Sequence, residues 1–343
     1  MINVGLVGFG FAGRTFHAPV IRAVTGLRLR AILQRSGDDA SQLYPESRVV
    51  RSIDEMLALG DVDLVVVATP NTTHFELAKR CLEDGRHVVI DKPFTTTTDE
   101  ARELAEIAKV KGKILSVYQN RRWDGDFQTV QKLLSEGSLG EIVLYESHFD
   151  RFRAEVRPDA WREKVEPGSG VLFDLGPHLL DQALVLFGIP EFVQADVKIE
   201  RREAKIDDAF EVTLFYPRMR AILRATMLAK IAGARFTIHG VNGSFVKYGL
   251  DVQEDALKQG KPIDDNWGVE SEDWWGIVDV LGSGANRVPT LPGDYRKYYE
   301  NVRDAIEGHA ELAVTPGQAL NVMHALELCN RSSREGCRVR WAE

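Results

Sequence analysis

The sequence predicts an α/β protein of two domains. Over residues 1–120, short apolar runs alternate with helical patterns, as in βαβ units, so we expect a Rossmann domain with a doubly wound parallel sheet. Over residues 121–343, strand patterns separated by short turns suit an α+β domain with a large, mainly antiparallel open sheet. The length of 343 residues also exceeds what one hydrophobic core usually organises.

Five strands are predicted in the first domain. Several of them are continuous in Val, Ile and Leu, as strands covered on both faces should be. The strands are Ile2–Gly8, Leu27–Gln34, Val62–Thr69, His87–Ile90 and Lys113–Tyr118. The intervening helices include Asn71–Asp84 and Thr98–Lys111.

The second domain is predicted to open with a helix at Asp126–Glu136 and a strand at Ile142–Phe149. A further helix should begin near Pro177 and stop at Gly188, since Pro favours a first helical turn and Gly follows a last one. The remaining strands are Phe192–Arg201, Ala209–Phe215, Ala221–Leu228, Arg235–His239 and Ser244–Tyr248. We expect the helical patterns Tyr295–Gly308 and Pro316–Ser333 to pack back on the first domain.

Composition excludes several classes of function. Hydrophobic residues make up 44% and charged residues 27%, which is ordinary for a folded globular protein. A net charge of -8 argues against nucleic-acid binding, because phosphate backbones need a basic surface. The sequence has no apolar run of about 18 residues, no signal-peptide pattern, no CxxC pair and no metal-ligand spacing of its histidines. We therefore expect a cytoplasmic protein without a metal site that binds neither nucleic acid nor membrane.

A GxGxxG motif follows the first strand directly and opens a helix, which is the context that a dinucleotide site requires. The first glycine permits a tight turn, the second lets a pyrophosphate approach the backbone, and the third lets helix and strand pack closely. The alternative is a plain glycine-rich turn. The motif consists of Gly8, Phe9, Gly10, Phe11, Ala12 and Gly13.

The end of the second strand indicates the cofactor. An acid about 20 residues beyond the motif would hold the ribose 2′-hydroxyl of NAD, but Arg35 and Ser36 stand there instead. A guanidinium and a hydroxyl suit a 2′-phosphate, so the sequence favours NADP. The alternative is that Arg35 is a solvated loop residue and that Asp38 or Asp39 reaches the ribose.

Polar residues also follow the third strand, at the edge where open α/β sheets bind ligands. These are Thr69, Pro70, Asn71 and His74, which we predict to contact the cofactor. Asn71 also has the position of a helix cap, and the two roles are compatible.

The fourth strand is followed by Asp91, Lys92 and Pro93. An ammonium at this edge can hydrogen-bond a substrate oxygen and stabilise developing negative charge. Position alone leaves an ordinary surface lysine equally open.

Asp174 and His178 stand four residues apart, a spacing that puts them on one helical face if the turn is already formed. Oxidation of a secondary alcohol needs a proton acceptor, and histidine is the usual one near neutral pH. Alternatively, Asp174 caps the helix that precedes its proline, and His178 is a core residue.

Over essentially its whole length the chain resembles the glucose–fructose oxidoreductase/inositol dehydrogenase (Gfo/Idh/MocA) family. The resemblance rests on GFGFAG at 8–13, ATPNTTH at 68–74, DKP at 91–93 and DLGPH at 174–178. In that family the lysine of an E-K-P motif and the Asp and His of a D-x-x-x-H motif are catalytic.

The resemblance implies a catalytic set of Lys92, Asp174 and His178. It assigns His178 as general acid/base, Lys92 as the group that polarises the reacting oxygen or relays its proton, and Asp174 as a partner of His178 or of the substrate. The motif also implies that Asp91, Lys92 and Pro93 contact the cofactor, with Asp91 a shorter carboxylate than the usual Glu of E-K-P.

Within the family, the chain looks most like the NADP-dependent scyllo-inositol dehydrogenases. The segments that carry this narrower resemblance are SVYQNRRWDGDF at 116–127, WREK at 161–164 and HGVNGSFVKYGLDVQEDAL at 239–257. It implies scyllo-inositol and scyllo-inosose as the substrate pair, with NADP as cofactor. The family resemblance implies a homo-dimer or homo-tetramer built on the exposed face of the second domain's sheet. The first domain would then bind NADP and the second would bind substrate and support oligomerisation.

A polyol ring needs hydrogen-bond donors and an apolar platform. Asn120, Arg121, Arg122, Trp123 and Trp161 could supply both, although Trp123 is equally a core residue and Arg122 a surface cation. The alternative functions are a dehydrogenase or reductase of another sugar or carbonyl compound, and a non-catalytic regulator that senses a dinucleotide.

Overall fold

A computed structural model describes residues 1–157 and 163–341. In chain order, its strands are β1 (Ile2–Val7), β2 (Leu27–Leu33), β3 (Arg48–Val50), β4 (Leu64–Val67), β5 (His87–Ile90), β6 (Leu115–Val117), β7 (Ile142–Asp150), β8 (Phe192–Lys198), β9 (Ala209–Phe215), β10 (Arg220–Thr226), β11 (Phe236–Gly240), β12 (Gly243–Lys247), β13 (Gly276–Val280), β14 (Gly284–Val288) and β15 (Val339–Arg340). The α-helices are α1 (Ala18–Ala23), α2 (Asp39–Leu43), α3 (Ile53–Leu57), α4 (His74–Glu83), α5 (Thr98–Lys111), α6 (Gly125–Glu136), α7 (Val171–Phe187), α8 (Gln253–Lys258), α9 (Arg296–Ile306) and α10 (Pro316–Glu335).

The chain forms two compact units, each built from three separate segments. Unit 1 contains Met1–Trp123, Gln253–Trp267 and Asp294–Met323. Unit 2 contains Asp124–Val252, Gly268–Gly293 and the rest of the chain from His324. The first passage from unit 1 to unit 2 lies close to the expected boundary at residue 120, but α8, α9 and the start of α10 belong to unit 1.

The sheet of unit 1 has six strands within the described residues, in the order β3-β2-β1-β4-β5-β6, and every neighbouring pair is parallel. This order confirms the predicted Rossmann sheet. The strand order reverses between β1 and β4, so ligands are expected at the carboxyl ends of these strands. The edge strand β3 was not predicted, because its three residues are too few to give a hydrophobic pattern.

Buried apolar residues explain why β4 forms at the centre of this sheet. All four of its residues are fully buried, as both faces of a parallel sheet are covered. The helix α5 agrees with its prediction at both ends. It begins after Thr97, which forms a reciprocal capping box with Glu100, and it ends at Gly112 in the left-handed conformation.

The sheet of unit 2 has nine strands within the described residues, in the order β14-β13-β12-β11-β7-β10-β9-β8-β15. The central pair β7 and β10 is parallel and the other pairs are antiparallel. The predicted large, mainly antiparallel sheet is confirmed, although β13, β14 and β15 were not predicted. The helix α7 packs against β7, β9 and β10.

The start of α7 differs from its prediction. The helix begins at Val171 rather than near Pro177, which lies inside it. Its first N–H groups are satisfied from a distant loop: the N–H of Leu172 donates to a carboxylate oxygen of Asp207 at 2.7 Å. Gly170 precedes the helix with φ of 88°, and a Cβ there would lie 2.1 Å from the same carboxylate. The start of α7 therefore depends on Asp207, and the residues next to the helix start in the sequence do not indicate where the helix begins.

Within residues 1–157 and 163–341, no helix combines the length and apolarity needed to cross a membrane.

Candidate functional site

The three glycines of the GxGxxG motif have different surroundings. Gly8 has φ of +102°, and a Cβ on it would lie 2.5 Å from the carbonyl oxygen of Ala68. A Cβ on Gly13 would lie 2.0 Å from the carbonyl oxygen of Gly8, so helix and strand pack too closely there for any side chain. Gly10 has open space around its Cβ position. Gly8 and Gly13 therefore serve the fold, whereas Gly10 leaves the backbone accessible to a ligand.

A cavity of about 740 Å³ lies in unit 1 at the carboxyl ends of β1, β2 and β4. Its volume suits part of a dinucleotide. Its charged lining residues are Arg35, Arg51 and Glu76. The predicted cofactor residues that it brings together are Gly8, Phe9, Gly10, Arg35, Ser36, Thr69 and Pro70.

Arg51 was not predicted as a site residue, because it follows the short strand β3 and carries no motif. Its guanidinium Nη1 donates to the carbonyl oxygens of Gln34 and Gly37, each at 2.8 Å. Its Nη2 also pairs with the carboxylate of Asp38 at 3.1 Å. Arg51 therefore fixes the loop that presents Arg35 and adds a second guanidinium to the cavity.

The two acids that could have held an NAD ribose are engaged elsewhere. The carboxylate of Asp38 is bound by Arg51, and that of Asp39 accepts a hydrogen bond from the Gln34 side chain at 3.2 Å. Neither acid lines the cavity, whereas Arg35 does. The charge at this end of the cavity is therefore positive.

The turn after β4 is a short 3₁₀ turn, Asn71–Thr73, and α4 begins only at His74. Asn71 is buried and does not occupy the cap position of α4, which Thr73 occupies. The Thr73 hydroxyl donates to the Pro70 carbonyl oxygen at 2.8 Å, and its oxygen lies 2.7 Å from the Thr69 hydroxyl. These bonds hold the two cavity-lining residues Thr69 and Pro70 in place.

The sequence predicts that His74 contacts the cofactor, and the structure places its side chain between two turns beside the cavity. His74 is fully buried and does not line the cavity. Its ring nitrogens lie 3.0 Å from the carbonyl oxygen of Pro93 and 2.9 Å from that of Thr69. The ring therefore connects the turn after β4 with the turn after β5.

The turn after β5 carries Asp91, Lys92 and the cis-peptide-linked Pro93. The Asp91 carboxylate accepts a hydrogen bond from the backbone N–H of Lys92 at 2.8 Å, and the His17 ring lies 3.8 Å away. Burial raises the pKa of Asp91, but His17, Lys92 and His74 outweigh this effect and hold that pKa below its usual value. The charged Asp91 side chain therefore stabilises the turn that carries Lys92.

His17 is a second residue that the sequence did not single out. It ends the π-helical turn Gly13–His17, is fully buried, and has its Nδ1 within 2.6 Å of the Tyr299 hydroxyl. Its contacts join the glycine loop to α9 and to Asp91. They involve residues far apart in the chain, so no local pattern indicates them.

In unit 2, Asp174 and His178 both lie inside α7 and so share one face of it. Because the helix begins at Val171, the alternative in which Asp174 caps it is wrong. The Asp174 carboxylate lies 3.6 Å from the Arg151 guanidinium. His178 is buried, with its ring edge-on to that of Phe149 at 6.4 Å. An acid and an imidazole on one helical face can act on the same hydroxyl group.

Of the predicted polyol residues, Asn120, Arg121, Arg122 and Trp123 form a 3₁₀ turn after β6. Arg121 is 6% exposed and forms an ion pair with Glu254, a residue near the start of α8. Its guanidinium is therefore bound within unit 1.

Arg122 is only 9% exposed, so the alternative in which it is a surface cation is wrong. It donates to the Ala313 carbonyl at 2.6 Å and to the Gln318 side chain at 3.1 Å. The ring of Trp123 packs edge-on against Tyr298. Trp161 lies outside the described residues.

The described part of the chain contains no group of three or more His, Cys, Asp or Glu side chains that could hold a metal ion.

Comparison with family models assigns both parts of the chain. The Gfo/Idh/MocA model for an oxidoreductase NAD-binding Rossmann fold matches residues 2–119. The companion model, for the C-terminal alpha/beta domain of the same oxidoreductase family, matches residues 131–340.

Individual proteins are similar over nearly the whole chain. The oxidoreductase YdgJ of Escherichia coli is 46% identical, over 97% of this chain and 96% of its own. IolW of Bacillus subtilis, a scyllo-inositol 2-dehydrogenase (NADP(+)), is 39% identical, over 97% of this chain and 94% of its own. The solved structure of yvaA from Bacillus subtilis has a TM-score of 0.96 at 38% identity and covers 99% of this chain and 98% of its own.

Proposed function

Because the chain belongs to the Gfo/Idh/MocA family of oxidoreductases, we propose that it is an NADP-dependent dehydrogenase of a cyclic polyol. In this proposal it interconverts a ring hydroxyl and the corresponding ketone. The family's Rossmann domain indicates a nicotinamide dinucleotide cofactor. The single observation that carries the choice of NADP is the pair of guanidinium groups, Arg35 and Arg51, at the ribose end of the cavity.

The residues around the cavity fit NADP in three ways. The open space at Gly10 admits a pyrophosphate to the backbone. Arg35, Ser36 and Arg51 offer the donors that a 2′-phosphate requires, and charge-assisted hydrogen bonds to phosphate are among the strongest. Asp38, which would repel that phosphate, is neutralised by Arg51. The name of the relative IolW includes the same cofactor.

The proposed mechanism divides the proton chemistry between two residues. NADP, when bound, supplies the acceptor for the hydride. His178 takes the proton of the substrate hydroxyl, since a histidine near neutral pH is well suited to this role. Lys92 donates a hydrogen bond to the reacting oxygen and stabilises its developing charge. Asp174 orients His178 or a neighbouring substrate hydroxyl from the same face of α7.

We propose scyllo-inositol as the substrate because of the similarity to IolW over nearly the full chain. Among the predicted polyol residues that the structure describes, we assign contacts with the polyol ring to Asn120 and Trp123. Arg121 and Arg122 are bound by protein groups, and their contribution would be to fix the turn that carries Asn120 and Trp123.

The experiment is a panel of inositols and sugars, each offered with NADP and with NAD, followed by absorbance of the reduced nicotinamide. We expect turnover of scyllo-inositol with NADP, and a selective loss of NADP turnover in Arg35→Ala. Activity on another sugar would change the proposed substrate and leave the proposed mechanism in place. Cofactor binding without any turnover would instead support a dinucleotide-sensing regulator and refute the enzyme.

We further propose that the protein is a homo-dimer or homo-tetramer formed through the face of the unit 2 sheet opposite α7. On β10, Ala221 and Leu223 are fully buried, whereas Ile222 is partly exposed and Arg224 is exposed. Thr213 of β9 lies opposite Ile222 and is partly exposed as well. Light scattering with size-exclusion chromatography tests the proposal, and a monomer at micromolar concentration would contradict it.

A further inference from the structure

His74 lies fully buried between the two turns that follow β4 and β5. Its Nδ1 is 3.0 Å from the carbonyl oxygen of Pro93, and its Nε2 is 2.9 Å from the carbonyl oxygen of Thr69. Both distances are those of good hydrogen bonds. Both partners are backbone carbonyl oxygens, which can only accept.

This arrangement restricts the protonation of the ring. A neutral imidazole has one N–H and one lone pair, whereas an imidazolium has two N–H groups. A neutral ring would therefore set a nitrogen lone pair against a carbonyl lone pair at hydrogen-bond distance. Two donated hydrogen bonds require the imidazolium.

A buried positive charge needs compensation, and Asp91 supplies it. Burial lowers the pKa of His74 below its ordinary value, and the Asp91 carboxylate and the carbonyl groups of Thr69, Pro93 and Phe94 offset this effect only in part. Asp91 is the charged side chain that acts on the ring, and its own pKa is held below the usual value. Asp91 and His74 favour each other's charged form. Because both ring nitrogens face carbonyl oxygens that only accept, the hydrogen-bond geometry opposes the effect of burial and favours the charged ring.

We propose that His74 is a positioning residue, held as an imidazolium, that locks the turn carrying Lys92 to the turn that lines the cofactor cavity. One end of its ring holds Thr69, a lining residue of the cavity. The other end holds Pro93, next to Lys92 in the chain. The proposal rests on the catalytic role proposed above for Lys92, because it gives His74 the task of placing that ammonium relative to the cofactor.

The first test reads the protonation directly, by ¹⁵N NMR of the histidine rings in the wild-type protein. The expected spectrum contains the signals of a histidine ring with protons on both nitrogens at neutral pH, and these signals disappear in His74→Gln. His87 is an internal control: its Nδ1 accepts a hydrogen bond from the N–H of Ile114 at 3.0 Å, so that nitrogen carries no proton. A neutral ring at His74 would overturn the proposal.

The second test separates positioning from support of the fold. A Gln side chain cannot donate to two carbonyls on opposite sides of a ring, so His74→Gln should lower kcat by about 10²-fold, the cost typical of an ångström-scale displacement. The dissociation constant of NADPH and the KM of the polyol should change by no more than roughly threefold. The matched variant His87→Gln should keep wild-type kcat. An unchanged kcat in a folded His74→Gln protein would contradict the inference.

The two tests distinguish failure of the inference from failure of the proposed function. A wild-type protein that shows the imidazolium spectrum but turns over no polyol or sugar refutes the proposed function and leaves the charge of His74 established. A wild-type protein that is active while its His74 ring is neutral refutes the inference alone. If His74→Gln does not fold, Asp91→Asn serves in its place, since loss of the compensating carboxylate should return the His74 ring to its neutral form.

Discussion

The spacing of the glycine loop makes a quantitative prediction for two alanine substitutions. In Gly13→Ala, the new Cβ would lie 2.0 Å from the Gly8 carbonyl oxygen, whereas real Cβ contacts are essentially never shorter than 3.0 Å. The backbone must therefore move by about 1 Å, the difference between these distances. Overpacking of this kind costs about 1–3 kcal/mol, and the upper end applies because the obstructing atom belongs to the backbone.

Gly10→Ala is the matched control, because nothing lies within 4 Å of its Cβ position. The fold should tolerate this change or gain a few tenths of a kcal/mol, since alanine reduces the freedom of the unfolded chain. The same Cβ would occupy space that the bound pyrophosphate needs. We therefore expect the affinity for NADPH to fall by about tenfold or more, which corresponds to about 1.4 kcal/mol.

The assay is thermal unfolding of both variants with and without NADPH, together with titration of the cofactor. A loss of about 3 kcal/mol should lower the Tm of Gly13→Ala by roughly 6–12 °C, given the size of the unit. Gly10→Ala should keep the wild-type Tm and lose most of the stabilisation that NADPH confers. A Gly13→Ala protein with wild-type Tm would contradict the close packing at Gly13, and a Gly10→Ala protein with wild-type NADPH affinity would contradict cofactor binding at Gly10.

Three further predictions follow from other parts of the molecule. His178→Ala should lower turnover by about 10²–10⁴-fold with nearly unchanged NADPH affinity, measured by steady-state kinetics and titration, whereas lost cofactor binding would make the residue structural. Arg51→Ala should lower the affinity for NADP by roughly 10-fold or more and leave the affinity for NAD unchanged, because a charge-assisted hydrogen bond contributes about 1.5–3 kcal/mol. Equal losses of affinity for both cofactors would contradict a contact of Arg51 with the 2′-phosphate. Burial raises the pKa of Asp207 to about 6 from its ordinary 3.8. Between these pH values the folded chain holds a proton that the unfolded chain has released, so the stability of the fold should decrease as pH rises from about 4 to 6. The free energy of unfolding should fall by at most about 3 kcal/mol over this range. Urea unfolding should show no such fall in Asp207→Asn. Parallel pH profiles of the two proteins would exclude Asp207 as the source of the fall.

Much of the fold follows from local sequence signals. The ends of α5 agree with the prediction, and the residues that cap it in the structure, Thr97, Glu100 and Gly112, lie within or beside the helix itself. The start of α7 was missed because Asp207, 35 residues away, satisfies its first N–H groups. Helix boundaries were predictable here where the capping residues are neighbours in sequence, and not where they come from another loop.

The same distinction applies to the candidate site. The glycine loop and Arg35 stand at fixed offsets from predicted strands, so the sequence indicates them. Arg51 acts through hydrogen bonds to Gln34 and Gly37, and the short strand before it gives no pattern. His74 was predicted as a cofactor contact because it follows a strand end, but its orientation is set by the carbonyl of Pro93 on another turn. Sequence position therefore indicated where these residues lie and not what their side chains contact.

Transfer of a labelled hydride would show directly whether the protein oxidises a polyol with NADP. Scyllo-inositol carrying deuterium on its ring carbons would be incubated with NADP and the protein, and the reduced cofactor would be analysed by mass spectrometry. We expect NADPH one mass unit heavier than normal, formed in equal amount to the ketone, and far less labelled NADH when NAD replaces NADP. Absence of deuterium from the reduced cofactor, or equal labelling of NADH, would contradict this expectation.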